Sequence, residues 1–314
     1  MIKKISIFLL IAIALSGCSS ASKGSIVSKG VVKRNILSKP IYRPSSILED
    51  RGSNNLLNVS SKEVSPEEEI KSKEHSPILT VDPLSISSTR KGWSWLYSPK
   101  SEAALLSKYQ GFAFGDISKK DIYLTFDEGY ENGYTPSILD TLKANGVKAA
   151  FFVTTPFATD SFNGLKNSEL IKRMIGEGHI VSNHSVSHKS MSSFLKENDF
   201  DYELNENQRI VNQIPGVKMS KFFRPPMGDF SELSLYYTQR LGYKSIFFAL
   251  AYLDYDINNQ PNPEVAKANL LKNSRPGMIC LLHAVSKTNA EILDSLIKAW
   301  KAEGYEFKSL DELP

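Results

Sequence analysis

Two histidines four residues apart, in His184-Ser185-Val186-Ser187-His188, are the first residues of this sequence whose spacing points to chemistry. On a helical turn, side chains at i and i+4 project to the same side, where two imidazoles can grip one divalent ion. Two donors leave such an ion short of ligands. The adjacent acids Asp127 and Glu128 offer a third from either carboxylate and would leave open positions for water and substrate. An ion held in this way brings the pKa of a bound water to about 7 and polarises a carbonyl, the two requirements of amide or ester hydrolysis at neutral pH. The chain has only 5 histidines. Three of them, His184, His188 and His283, fall at the ends of β-rich runs. His75 lies in a polar stretch and His179 at a strand start, so these two read as solvated or packing residues.

The elements that must carry these groups alternate. Candidate strands are 121–126, 148–154, 179–183, 221–223, 243–249, 278–282 and 305–308, rich in β-branched and aromatic residues. Between them lie helical patterns, among them 135–144, 168–177, 200–213, 231–241 and 289–303. Such alternation implies an α/β fold with a parallel sheet, closed as a barrel or open and doubly wound. Asp127 and Glu128 follow the first strand, His184 the third, Arg224 the fourth, Asp254 the fifth and His283 the sixth. In a parallel barrel those positions converge on one face, where active sites sit.

Composition places this domain in the last two-thirds of the 314 residues: apart from Phe8 and Tyr42, every aromatic residue lies from Trp93 onward. The formal charge of +4 is too balanced for a nucleic-acid groove, so nucleic acid is not expected as a partner. Residues 1–18 have a charged start, the apolar run 5–15, and then Leu15-Ser16-Gly17-Cys18, which resembles a bacterial lipobox. Acylation of Cys18 would hold the protein on the outer face of the cytoplasmic membrane. Residues 19–90, rich in Ser, Lys, Glu and Pro and without sustained periodicity, read as a flexible tether; about 70 such residues reach on the order of 45 Å. Residues 91–314 form the expected domain. Cys280, the one cysteine besides Cys18, sits in an apolar run and is expected to be a buried thiol without chemistry.

Five ordered segments, Thr125-Phe126-Asp127-Glu128-Gly129, His184-Ser185-Val186-Ser187-His188, Arg224-Pro225-Pro226-Met227-Gly228, Asp254-Tyr255 and Leu281-Leu282-His283, resemble the motifs of the NodB-type polysaccharide deacetylases, carbohydrate esterase family four. The resemblance implies a distorted (β/α) barrel. The longer pieces Asp127-Glu128-Gly129-Tyr130-Glu131-Asn132-Gly133-Tyr134-Thr135 and Ser286-Lys287-Thr288-Asn289-Ala290-Glu291 are most similar to the delta-lactam-biosynthetic de-N-acetylases. These take the acetyl group from N-acetylmuramic acid in peptidoglycan, and the freed amine closes as the muramic δ-lactam of spore cortex.

Carried onto this chain, the resemblance implies Asp127 as general base and Arg224 as its ion-pair partner. Glu128, His184 and His188 become ligands of one divalent metal, zinc by default, with cobalt, nickel or others also suited. The Met227 N–H would stabilise the oxyanion, and His283, oriented by Asp254, would protonate the departing amine. The chain departs from the family pattern at three positions: Glu128 stands where Asp is usual, Met227 where an aromatic is frequent, and Tyr255 where Trp is usual. Tyr130, Asn132 and Tyr134 are candidates for the substrate groove. The implied partners are peptidoglycan glycan strands and, through Cys18, the membrane. The competing readings are an N-acetylglucosamine deacetylase on peptidoglycan or chitin-like oligomers, an esterase on acetylated xylan, and a lipid-anchored wall-binding protein with a degenerate site.

Overall fold

Every residue of the run Asp121–Glu128 is buried, so both of its faces must be covered, which is the situation of a central strand in a parallel sheet. The structure, a computed structural model, describes residues 82–93 and 100–314. The export signal, the Cys18 lipobox and the tether up to residue 81 lie outside the described residues. The sheet is built from β1 (Gly111–Phe112), β2 (Asp121–Glu128), β3 (Ala150–Val153), β4 (Ile180–Asn183), β5 (Phe222–Phe223), β6 (Lys244–Ile246), β7 (Met278–His283) and β8 (Glu306–Phe307). Its order is β7-β2-β3-β4-β5-β6-β1, with β8 added to the start of β2, and every pairing is parallel. Bridges from Phe114 to Met278 and from Leu250 to Cys280 bring the far edge back to β7. The result is a distorted (β/α) barrel rather than an open doubly wound sheet.

The helices are α1 (Lys100–Lys108), α2 (Thr135–Ala144), α3 (Thr155–Thr159), α4 (Asn167–Gly176), α5 (Glu197–Asn212), α6 (Glu232–Arg240), α7 (Pro263–Lys272) and α8 (Lys287–Ala302). Helix α8 illustrates how they form. Ser286 caps it by accepting from the Asn289 N–H, and Ile292, Leu293, Leu296, Ile297 and Trp300 recur at helical spacing on its buried face. All seven candidate strands are present, most of them shorter at the ends than the β-rich runs. The remaining sheet strand, β1, has two residues and no alternation to reveal it. Helix α7 buries only Ala266 and Leu270, too few apolar positions to mark a period.

Strand alternation sorts the core into layers. Tyr123, Phe152, Phe222, Ile246 and Ile279 fill the barrel interior. Leu124, Phe126, Phe151 and Val153 leave the other face of the sheet and pack with Ile138, Leu170, Leu293 and Trp300 of the helices. Cys280 belongs to that outer layer and is fully buried, with its thiol pushed far up by burial. His179 is buried edge-on against Phe151, at 5.4 Å between ring centres.

Candidate active site

The carboxyl ends of the strands surround a cavity of about 600 Å³ lined by Asp127, His184, His188, Arg224, Met227 and His283. Tyr130, Phe248, Tyr255, Leu281, Val285 and Trp93 also line it. The parallel register accounts for part of this convergence: His283 is the cross-strand partner of Asp127, whose other partner is Phe152.

Asp127 and Arg224 form the buried centre. Arg224 Nη1 donates to Asp127 Oδ1 at 2.8 Å, while Nε and Nη2 donate to the carbonyls of Ile246 and Phe247 at 3.1 and 3.3 Å. The guanidinium lies 4.3 Å from the centre of the Phe152 ring. With both sides of its fork engaged, the cation has one orientation. Burial alone pushes the Asp127 carboxyl up, but Arg224, followed by His184 and His283, outweighs it, and the net shift is below the usual carboxylate range. Asp127 is therefore ionised at neutral pH.

The two histidines meet, but not on a helical turn. Residues 184–190 form a bend-containing loop, and Ser185 and His188 sit at φ 71° and 54°, in the left-handed region that non-glycine residues rarely adopt. This corrects the expected helical geometry. The loop is held by α5: Glu203 accepts from the Ser187 N–H and hydroxyl, both at 2.8 Å, and Asn207 Nδ2 donates to Asn183 Oδ1 and to the Val153 carbonyl, both at 2.9 Å. The imidazoles of His184 and His188 end 4.9 Å apart between ring centres. The Arg224 carbonyl takes the His184 Nδ1–H at 2.8 Å, which leaves the lone pair on Nε2, 3.5 Å from Asp127 Oδ2. Burial lowers the pKa of His184 to about 4 and also lowers that of His188, so both rings are neutral donors.

On the opposite wall His283 Nδ1 donates to Asp254 Oδ1 at 2.7 Å, and the His283 backbone N–H donates to Oδ2 at 2.8 Å. Asn289 Nδ2 holds Oδ2 at 2.6 Å, and Tyr252 O–H donates to the Asn289 side-chain oxygen. Burial lowers the His283 pKa, but Asp254 and then Asp127 raise it by more, so the ring is poised as a proton donor.

Glu128 is placed differently. As the next residue of the same strand it leaves the opposite face from Asp127. It is fully buried, and neither carboxyl oxygen has a hydrogen-bond partner among the described residues. Burial, with Glu131 and Asp127 nearby, raises its pKa well above the usual range. Two neutral imidazoles, one with a fixed tautomer, are donors that suit a divalent cation. The expected third ligand, Glu128, does not join them: no three His, Cys, Asp or Glu side chains among the described residues lie close enough to share an ion. Of the two carboxylates considered as third donor, Asp127 is the one that faces His184.

Met227 stands in the turn Pro226–Gly228 at φ 59°, with its side chain exposed. The Tyr255 ring approaches His283 edge-on at 5.7 Å. Of the three groove candidates, only Tyr130 lines the cavity; Asn132 donates to the Val285 carbonyl at 3.0 Å and Tyr134 packs on the outer core. Glu203, Asn207, Asn289 and Trp93 also shape the site. Glu203, Asn207 and Asn289 lie within helices and Trp93 follows a two-residue strand outside the main sheet, so none carries the signal, a polar residue after a β-rich run, that located the others.

The Polysaccharide deacetylase profile matches residues 115–246. The chain is 45% identical over 210 residues to the peptidoglycan-N-acetylmuramic acid deacetylase PdaA of Bacillus subtilis, covering 67% of this chain and 77% of that protein. It belongs to the polysaccharide deacetylases. The solved structure of Bacillus subtilis PdaA, a family 4 carbohydrate esterase, superposes with a TM-score of 0.68 at 40% identity, over 73% of this chain and 98% of that one. A peptidoglycan-N-acetylglucosamine deacetylase of Bacillus cereus is 28% identical over 212 residues, covering 66% of this chain and 73% of that protein. As a member of this family the chain is a hydrolase, a polysaccharide deacetylase.

Proposed function

We propose that this enzyme hydrolyses the N-acetyl group of N-acetylmuramic acid in peptidoglycan, freeing an amine that can close onto the lactyl carboxyl of the same sugar as muramic δ-lactam. The observation that carries this reading is the 45% identity to the muramic acid deacetylase, against 28% to the glucosamine enzyme. The substrate places the enzyme outside the cytoplasm, and the Cys18 lipobox would hold it on the outer face of the membrane.

In this reading Asp127, kept ionised by Arg224, takes a proton from the attacking water as its oxygen bonds to the acetyl carbon. The Met227 N–H donates to the carbonyl oxygen as negative charge develops there. His283, with Asp254 on its Nδ1, delivers a proton from Nε2 to the leaving nitrogen, so that the C–N bond breaks to acetate and an amine. His184 and His188 would hold a divalent cation, zinc by default, and it would supply Lewis-acid polarisation of the acetyl carbonyl; Glu128, on the opposite face of its strand, is not among the donors that meet there. The support for the cation is donor chemistry: the fixed tautomer of His184 beside the neutral ring of His188.

Purified glycan strands, with and without stem peptides, are incubated with the enzyme and their sugars analysed by mass spectrometry. Deacetylated muramic acid is expected. Deacetylated glucosamine instead would change the substrate, and acetate release from neither sugar would remove the reading. A parallel incubation after chelation is expected to be inactive and to recover on adding zinc; full activity in the metal-free protein would remove the cation.

A further inference from the structure

We propose that Trp93, on a strap that precedes the matched family region, is a positioning residue for the turn bearing Met227. The strap's residues up to Arg90 fall within the stretch whose composition reads as tether. Its backbone runs along the segment from Pro226 to Leu233: Lys91 and Gly92 pair antiparallel with Phe230 and Asp229, the Trp93 N–H donates to the Gly228 carbonyl at 3.0 Å, and the Leu233 N–H donates to the Ser87 carbonyl at 3.0 Å. Arg90 adds an ion pair to Asp229 at 2.6 Å. A two-residue ladder is marginal by itself, so the anchor is the indole. It is 7% exposed, packs against Phe247 and Phe230 at 4.7 and 6.3 Å between ring centres, and donates from Nε1 to the Phe248 carbonyl at 2.6 Å.

The turn so held needs holding. Met227, a non-glycine residue at φ 59°, precedes Gly228 at φ 66°, and the strain at Met227 persists only where surroundings over-determine it. The fit is close: a Cβ on Gly228 would lie 3.1 Å from the Trp93 Cβ. The indole is also part of the cavity wall beside Met227 and Phe248. Its removal therefore frees the strap and lets the Met227 N–H leave its line to the substrate carbonyl, an error of about 1 Å being enough to cost on the order of 100-fold in rate.

This rests on the deacetylase reading of the site, so the test pairs turnover with a measurement that needs none. The full chain carries Trp93→Phe, which keeps a ring but loses the indole N–H, or Trp93→Ala. Acetate release from glycan strands gives kcat and KM, and hydrogen exchange reports the Gly228 amide. Expected are a fall in kcat of about fivefold for the Phe variant and about 100-fold for the Ala variant, with KM within about threefold. Gly228 exchange is expected to accelerate about tenfold in the Phe variant, at an unchanged unfolding midpoint. Unchanged Gly228 exchange overturns the proposal even if the wild-type protein acts on another substrate. A loss confined to KM, or a folded Ala variant with wild-type kcat, also overturns it. Should the Ala variant not fold, the Phe variant decides on both readouts.

Discussion

Asp127 is held between two opposed effects, burial that favours its neutral form and the Arg224 cation that favours its charged one, and the cation wins. Asp127→Asn keeps the shape and one acceptor for Arg224 but removes the proposed base. Turnover is expected to fall by about 10²- to 10⁴-fold in acetate release, with the fold intact by circular dichroism. His283 is the counterpart. In the proposed reaction its protonated form is the acid, and Asp254 raises its pKa, so the rate should fall as pH rises through that raised value. Asp254→Asn removes the charge that sustains it. The His283 pKa then drops, and the alkaline limb of the pH–rate profile is expected to move to lower pH; an unmoved limb would exclude His283 as the titrating acid.

At the scale of elements, the loop after β4 depends on a helix that is remote in sequence. Glu203 and Asn207 are one turn apart on α5, both buried, and together they fasten Ser187, Asn183 and the end of β3. Two left-handed residues in this loop have no glycine to relieve them, so its shape is imposed by these bonds. Glu203→Ala should let the imidazoles drift apart. Titration calorimetry with zinc is expected to give about 10- to 100-fold weaker binding, with helix and sheet content unchanged. Wild-type affinity in that variant would show that the clamp does not tune the pair.

For the whole molecule, the site faces the carboxyl ends of the strands while the opposite end of the barrel, around Lys120, Asp121, Glu306 and Lys308, carries a separate polar cavity of about 500 Å³. Chemistry at one end only is the usual division of labour in parallel barrels, where loops can vary without disturbing the sheet. No helix among the described residues is long and apolar enough to cross a membrane. Cys18→Ser is expected to move the protein from the membrane to the soluble extracytoplasmic fraction with its deacetylase activity retained. Continued sedimentation with membranes would require a different anchor.

Much of this was legible in the sequence because it is local. Strand and helix periods are read within a dozen residues, and a polar residue at a strand end, such as Asp127, Arg224 or His283, inherits its position from the strand before it. Other features depend on contacts that no local pattern encodes. The Glu203 clamp joins residues 16 apart, the Trp93 anchor reaches 155 residues to Phe248, and Asn289 reaches back 35 to Asp254. Glu128 shows the distinction most sharply. Adjacency in sequence makes it the companion of Asp127, but strand alternation sends the two carboxyls to opposite faces of one sheet. The sequence determined which donors are present; only the packed barrel decided which of them meet.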